Sequence, residues 1–342
     1  MPAAAGFEPL CEDPLPDPYV HRENGAWHVF GTGQSYLYGT SLRPGGLRRA
    51  EIEFDFGTET RIQDVWAFMP HCSPDGGYHG YGALNYGQFQ TVIAHFLPAA
   101  GEAWNGSAIH RWKLDKILLG DLDQGRTTYY DPRVFTGEDG RLYLMYSASP
   151  AHHRNVQISV RRMLDAGSLD PSFKPRALLR AEGYRSEDRN PGYIQLVEGA
   201  NIARVEDKYV LLYSVGDFAL GNYRLGMAFS DALIPPEGET YQKPLMPDPL
   251  NVWKNSEKRE EVCYLLQSEH KGWPNYCGHI VRGPGLGNIV KTRDEYSVLF
   301  HGYRPGNRRR NPRDRFVWSL PLTVDIRAGR PMSHWLRPVL PR

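Results

Sequence analysis

Apolar and polar positions along this chain alternate in short runs, and one phrase of such runs returns several times. Each copy opens with a short apolar stretch headed by an acidic residue or glycine. It then passes through a turn of Asp, Asn or Gly and continues into a second stretch where aromatic and β-branched residues alternate with polar ones. The phrase reads Asp17-Pro18-Tyr19-Val20, Glu23-Asn24-Gly25, Trp27-His28-Val29-Phe30 in its first copy. It returns as Asp131-Pro132-Arg133-Val134-Phe135, Glu138-Asp139-Gly140 and 142–147, and again as Glu198-Gly199-Ala200-Asn201-Ile202, Glu206-Asp207-Lys208 and 209–214. A fourth copy covers 285–290, Arg293-Asp294-Glu295 and 296–301, and a weaker one covers Val65-Trp66-Ala67-Phe68, 74–77 and 78–82.

Each copy is a hairpin signature, two β-rich runs joined by residues that tolerate positive φ. Further strand candidates follow at 91–95, 156–161, 224–230 and 316–322, and the one short helical pattern lies at 161–166. Copies begin near 17, 65, 131, 198 and 285, which leaves room for four strands in each. A lone four-stranded sheet cannot bury both faces, so the units must stack around an axis. The pattern therefore predicts an all-β, five-bladed β-propeller, one domain spanning 1–342 with no linker. A β-sandwich, the competing reading, repeats its strands every ~8–12 residues without the longer phrase.

Composition narrows the function classes. Gly 35, Pro 27 and Tyr 20 fit a turn-rich β protein, and 12% aromatics argue against disorder. Lysine and arginine total 40 against 39 acidic residues, a balance that gives no pull toward nucleic acid. No apolar run approaches the ~18–20 residues that span a bilayer, and the first residues lack a basic and apolar signal pattern. The expectation is a cytoplasmic protein with no membrane partner. Cys11, Cys72, Cys263 and Cys277 are scattered, without a C-x-x-C pair, and read as reduced thiols.

In a propeller the first strand of each blade lines the central channel, so residues at the phrase heads converge. Three heads carry carboxylates: Asp17, Asp131 and Glu198. Aspartate before proline also opens turns, but Glu198 follows the apolar 194–197 run, where an unpaired buried carboxylate costs several kcal/mol. Three acids in one cleft repel when ionised, which raises at least one pKa and separates an acid from a base. Glycosidic bond cleavage needs that pair. Trp66, Phe68, Tyr129 and Tyr130 stand beside phrase heads and could stack on sugar faces. Arg308-Arg309-Arg310, with Arg313 and Arg315, reads either as a solvated tip or as an anion clamp, with Arg315 the strongest single choice.

These phrases together resemble the family 43 glycoside hydrolases, five-bladed propellers related to families 32, 62, 68, 117 and 130. The resemblance rests on the order of the Asp-Pro strand, the mid-chain Asp-Pro with its Asp-Gly hairpin, Glu-Gly before an apolar strand, the late His301, and the closing 315–322 strand with Gly329-Arg330-Pro331. It implies Asp17 as general base, with Asp13 the rival position, Asp131 as the residue that tunes and orients the acid, and Glu198 as general acid. It further implies inversion at the anomeric carbon. The implied substrate is a small carbohydrate, an arabinofuranoside or β-xyloside attacked from its end. No cofactor is implied for catalysis, but a structural calcium or sodium ion near His301 on the axis is. One departure is Gly283-Pro284-Gly285-Leu286, where the family carries histidine at the last position. Asp131-Pro132-Arg133-Val134 also resembles family 130 phosphorylases, which use phosphate in place of water. A propeller turned to non-hydrolytic chemistry or to sugar binding is the third reading. Oligomeric state is left open.

Overall fold

Alternating β-branched and aromatic runs separated by positive-φ turns pair readily with their neighbours, and the chain folds largely as a succession of antiparallel meanders, with one parallel pairing of 53–55 on 111–113. A computed structural model describes residues 7–341 except 75, 88–89, 103, 105–108, 123–126, 151–155, 185–186, 191–193, 248–259, 294 and 307–310. Blade I is β1 (Tyr19–Glu23), β2 (Ala26–Phe30), β3 (Ser35–Gly39) and β4 (Arg48–Glu51), paired in that order. Blade II joins β5 (Glu53–Asp55) to β6 (Asp64–Cys72), β7 (Tyr78–Asn85), β8 (Thr91–Pro98) and β9 (Arg111–Leu119), with β5 beside β9. Blade III holds β10 (Thr127–Thr136), β11 (Leu142–Pro150), β12 (Gln157–Asp165), β13 (Ser168–Leu169) and β14 (Arg176–Arg180). A two-stranded pair, β15 (Asp188–Asn190) and β16 (Ile194–Gln195), precedes blade IV. Blade IV is β17 (Glu198–Val205), β18 (Lys208–Val215) and β19 (Arg224–Ser230), extended where Phe229 and Gln242 exchange backbone hydrogen bonds. After β20 (Leu245–Pro247) and β21 (Glu260–Val262), blade V is β22 (Arg282–Thr292), β23 (Glu295–Tyr303), β24 (Phe316–Val324) and β25 (Leu336–Pro338).

This is a five-bladed β-propeller. The helical pattern at 161–166 is overturned: all but its last residue lie in β12, whose apolar residues pack between blades III and its neighbours. The described residues contain no helix long and apolar enough to cross a membrane. Hairpin turns fall where Asn24, Gly25, Gly140, Glu206 and Arg293 take up positive φ.

The core is divided by blade boundary. Phe30, Phe68, Phe96 and Trp112 pack blade I on II, and Met69, Tyr81, Leu144 and Tyr146 pack II on III. Met145, Val160, Leu211 and Tyr213 join III to IV, and Leu212, Met227, Phe300 and Trp318 join IV to V. The ring closes through the chain's beginning. Leu10 N–H donates to the Val317 carbonyl at 2.8 Å and Leu15 N–H to that of Arg315 at 2.9 Å. On the other side Thr32 N–H donates to Pro16 at 2.9 Å and Leu47 N–H to Leu10 at 3.3 Å. Leu10 and Leu15 thus fill the V–I boundary with Val29, Leu37, Leu299 and Val317.

All four bulged inner strands, and the segment entering β1, carry an irregularity at one level of the axis. In β6, β10, β17 and β22 the pairing skips between Trp66 and Met69, Tyr130 and Arg133, Glu198 and Asn201, and Gly285 and Asn288. The first extra residue has positive φ each time: Ala67 at 50°, Asp131 at 52°, Gly199 at 63° and Leu286 at 40°, with Asp17 at 59° before β1. These are bulges that begin with a left-handed residue, a device that re-aims side chains. Gly199 is required twice over, since a Cβ there would also sit 2.6 Å from the Leu286 side chain.

Because Leu15 is fully buried at the closing boundary, Leu15→Ala is expected to lower unfolding stability by about 2–5 kcal/mol. Urea denaturation measures it; an effect below about 1 kcal/mol would mean that this segment does not hold the ring shut.

Candidate active site

The bulges decide which side chains meet. Residues just before each bulge are Pro16, Trp66, Tyr130, Glu198 and Gly285, and the first four line one pocket with Asp17, Asp131 and Leu286 from the bulges themselves. The pocket has a volume of about 320 Å³ and is completed by Tyr223, Phe218, Asp64 and Arg315, among others. Asp17 and Asp131 therefore occupy equivalent blade positions, whereas Glu198 stands one residue earlier on its strand. Gly285 leaves the space into which the Tyr223 ring packs, 2.2 Å from where its Cβ would lie.

A hydrogen bond ties four of the five irregularities, all but that at Asp131, to the preceding blade. Ala67 N–H donates to Thr32 Oγ1 at 3.0 Å, Gly199 N–H to Ser147 Oγ at 3.1 Å, and Leu286 N–H to Ser214 Oγ at 2.8 Å. Asp17 N–H donates instead to His301 Nδ1 at 2.8 Å. Ser147, Ser214 and His301 all stand opposite the residue that precedes their own blade's bulge, and the corresponding residue in blade II is Ala83.

Asp17 is held by donors on both carboxylate oxygens. Thr32 Oγ1 donates to its Oδ2 at 2.6 Å, and Arg315 Nη1 donates to its Oδ1 at 2.9 Å. Burial pushes its pKa upward, but Arg315, His301 and the Thr32 hydroxyl outweigh that and hold it below the ordinary carboxylate value. Asp17 is thus an anion at neutral pH. Arg315 is itself fixed by Nε–H donating to the Pro312 carbonyl at 2.7 Å.

Asp131 has the opposite setting. Burial first, then the charges of Glu198 and Asp17, drive its pKa well above the ordinary value, against the pull of Arg133 and Arg315. Asp131 therefore retains a proton where an isolated carboxylate has lost its own, and the Glu198 charge beside it is part of the cause. Glu198 is buried and accepts a short hydrogen bond from the Tyr223 hydroxyl on Oε1. Burial and the neighbouring Glu198 and Asp131 keep that phenol protonated, so it can only donate to a charged Glu198. A firm anion at Asp17 facing an acid that keeps its proton at Asp131 is the kind of separation that acid–base chemistry on a single bond requires.

Of the residues expected from sequence, Asp17, Asp131, Glu198, Trp66, Tyr130 and Arg315 come together in this pocket. Phe68 does not. It is the second bulge residue of β6 and is buried between blades I and II against Phe30, Phe54, Phe96 and Trp112, so the sugar-stacking expectation is corrected to core packing. Tyr129 packs edge-on against Tyr146. Asp13, the rival to Asp17, lies instead beside Arg49 and Cys11. Arg308, Arg309 and Arg310 fall outside the described residues.

His301 is fully buried between Asp17, Arg315 and the Tyr223 ring. Burial and the Arg315 cation hold it neutral against the pull of Asp17. Its Nδ1 accepts the Asp17 amide, and its Nε2 lies 3.1 Å from Arg315 Nη1. This surrounding does not fit a calcium or sodium ion, and no cluster of three His, Cys, Asp or Glu suited to a metal occurs among the described residues. Arg313, named with Arg315 in the basic cluster, also lines the pocket, and Tyr223, Phe218, Asp64, Gln63 and Asn85 are pocket residues that sequence reasoning missed. Tyr223 carried one usable signal: a tyrosine at the start of an apolar strand needs a partner for its hydroxyl.

No protein-family model and no curated protein matches the chain. Among solved structures it is similar to a thermostable family-43 glycoside hydrolase, at TM-score 0.68 and 18% identity over 98% of this chain and 96% of the other. It is also similar to an α-L-arabinofuranosidase from Lactobacillus brevis, at TM-score 0.71 and 17% identity over 100% and 99% of the two chains. An exo-1,5-α-L-arabinanase from a bovine ruminal metagenomic library matches at TM-score 0.64 and 15% identity, over 95% and 96%. The chain shares the five-bladed fold of these glycoside hydrolases along its whole length.

A raised folded-state pKa penalises an acid once pH exceeds its unfolded value, near 3.9 for aspartate. Asp131→Asn, which keeps a side chain tolerant of positive φ, is therefore expected to raise Tm at pH 7 and to leave it nearly unchanged at pH 3.5. Thermal unfolding at the two pH values checks this; a uniform loss of Tm at both would contradict the buried-acid reading.

Proposed function

We propose that this protein is an inverting glycoside hydrolase that removes a terminal arabinofuranosyl or β-xylosyl unit. The observation that carries this is the convergence of Asp17, Asp131 and Glu198 on the floor of one small pocket, two of them in opposite electrostatic settings. Glu198 is the general acid, giving its proton to the leaving glycosidic oxygen. Asp17, held ionised by Arg315, is the general base that takes a proton from the attacking water. Asp131 shares the buried proton with Glu198 and sets its release. Tyr223 fixes one oxygen of Glu198, which leaves the other to face the leaving group.

The pocket's size supports attack at a chain end. About 320 Å³ lies at the lower limit of ligand cavities, which suits one sugar ring better than a threaded polymer. Trp66 and Tyr130, both beside Glu198 in the bulge register, offer ring faces for that sugar. The structural neighbours act, by their names, as an arabinofuranosidase and an exo-arabinanase, which supports the pentose assignment. Phosphorolysis is less well supported, because Arg315 and Arg313, the two pocket arginines, are paired with Asp17 and Asp64. Structural likeness also extends to an endo-arabinanase, so end attack rests on the pocket and not on the fold.

Glu198→Gln is expected to lower kcat by about 10²–10⁴-fold on substrates with poor leaving groups, and by much less on nitrophenyl glycosides, whose leaving oxygen needs no proton. Proton NMR of the first-formed sugar should show the opposite anomer, at a rate independent of added phosphate. Near-wild-type turnover of Glu198→Gln on an unactivated disaccharide would end the assignment, and phosphate dependence would replace hydrolysis with phosphorolysis.

A further inference from the structure

One residue follows each bulge at the same level of its blade, and in this chain those residues are Tyr19, Met69, Arg133, Asn201 and Asn288. Arg133 is a cation in the interior of a β-sheet protein, 3% exposed, and it hydrogen-bonds to three blades besides its own. Its Nη1 donates to the carbonyls of Pro132 at 2.8 Å and Ala67 at 3.1 Å, and its Nη2 approaches that of Pro18 at 3.5 Å. Its Nε donates to Asn201 Oδ1 at 2.8 Å, and Asn201 Nδ2 passes the bond on to the Gly287 carbonyl at 3.0 Å. Asn288 Nδ2 closes the circuit onto Pro18 at 2.9 Å. The guanidinium therefore lies among bulge carbonyls from blades I, II and III and is coupled through Asn201 to blade V.

We propose that Arg133 is the resident axial cation of this propeller, a positioning residue that holds the acids of the pocket floor in their working charge state. Four observations lead there. The bulge carbonyls turn their oxygens inward, so the axis is a site for positive charge. Arg133 lies within the field of Asp131 and of Asp17 from blade I without pairing with either, and its guanidinium stands over the Tyr19 ring. Asp131 in turn faces Glu198 from blade IV, Asp17 from blade I and Arg315 from blade V, and Glu198 faces Tyr223. Finally, His301, where an inorganic ion was expected, has its Nδ1 taken by the Asp17 amide and the Arg315 cation against its ring, 3.1 Å from Nε2 and 3.4 Å from Nδ1. With Asp17 ionised and one proton shared by Asp131 and Glu198, two negative charges meet Arg315 and Arg133, and the floor is neutral. Without Arg133 it carries an uncompensated buried anion.

The consequence has a sign. Removing the cation raises the folded-state pKa of the Asp131–Glu198 pair, and a raised acid loses stability as pH rises above its unfolded value. Arg133→Met should therefore be destabilised more at neutral than at acid pH, its Tm deficit against wild type growing roughly twofold between pH 4.5 and 7.5. Arg133→Lys keeps the charge without the fork and should show a deficit that does not vary with pH. A cavity or lost packing would lower Tm equally at every pH, and that result for Arg133→Met overturns the proposal. If Arg133→Met does not fold, the double variant Arg133→Met, Asp131→Asn should recover folding on this proposal; its failure to do so overturns it. These thermal measurements need no substrate, so they stand or fall apart from the hydrolase reading. The catalytic meaning of the proposal does rest on that reading. Where the protein hydrolyses an aryl glycoside, both limbs of the kcat/KM profile should move up by about one pH unit in Arg133→Met and stay in place in Arg133→Lys. An unmoved profile in Arg133→Met would show that Arg133 does not govern the acids.

Discussion

An L-amino acid held at positive φ costs on the order of 1–3 kcal/mol, and this chain holds four non-glycine residues that way around one axis: Asp17, Ala67, Asp131 and Leu286. Such conformations persist only where surrounding structure over-determines them. Here a determinant is the preceding blade, whose hydroxyl or imidazole accepts the bulge N–H at four of the five boundaries, all but that of Asp131. The same hydrogen bond therefore does two things. It satisfies a backbone donor that the interrupted ladder has left over, and it fixes adjacent blades at one height. Because the acids sit on or beside the bulges, blade registry and acid geometry are one constraint.

That constraint explains both where reading the sequence worked and where it failed. Hairpins were legible because Asn24-Gly25 and Gly140 mark turns by a requirement on φ, and the third strand of blade IV was placed to the residue by its apolar run. A bulge, however, inserts one residue and breaks the two-residue alternation on which inward and outward faces are assigned. Trp66 and Phe68 look alike on a period of two, yet the extra residue between them sends Trp66 to the pocket and Phe68 into the core. The three acids were read as equivalent, and the bulge register shows Glu198 one step ahead of the two aspartates. Its longer side chain accompanies that step. Tyr223 belongs to no phrase head, so nothing in the pattern pointed to it.

Arg133 illustrates a signal that was present and unused. An arginine followed by Val134 and Phe135 in a strand must find acceptors or leave a buried charge unpaired, the same argument that singled out Glu198. Apart from the Pro132 carbonyl beside it, the acceptors are oxygens of other blades, separated from it by up to 115 residues, and only closure of the ring assembles them. Sequence alone announces such a charge without saying what receives it.

Charge balance then links stability to chemistry. A buried pocket that must hold both a firm anion and a transferable proton cannot be electrostatically relaxed, because the acid that keeps its proton does so against its own solvation. Two arginines fixed by backbone carbonyls keep the total near neutral without pairing with Asp131: Arg315 is committed to Asp17, and Arg133 to bulge carbonyls. Had Arg133 formed a close pair with Asp131, that carboxyl would be held ionised, and the proton it shares with Glu198 would be lost. By spending the guanidinium's donors on carbonyl oxygens, the fold places positive charge near the pair while leaving its proton in place. The strain in the bulges is the structural counterpart, since only re-aimed carbonyls can receive that cation on the axis.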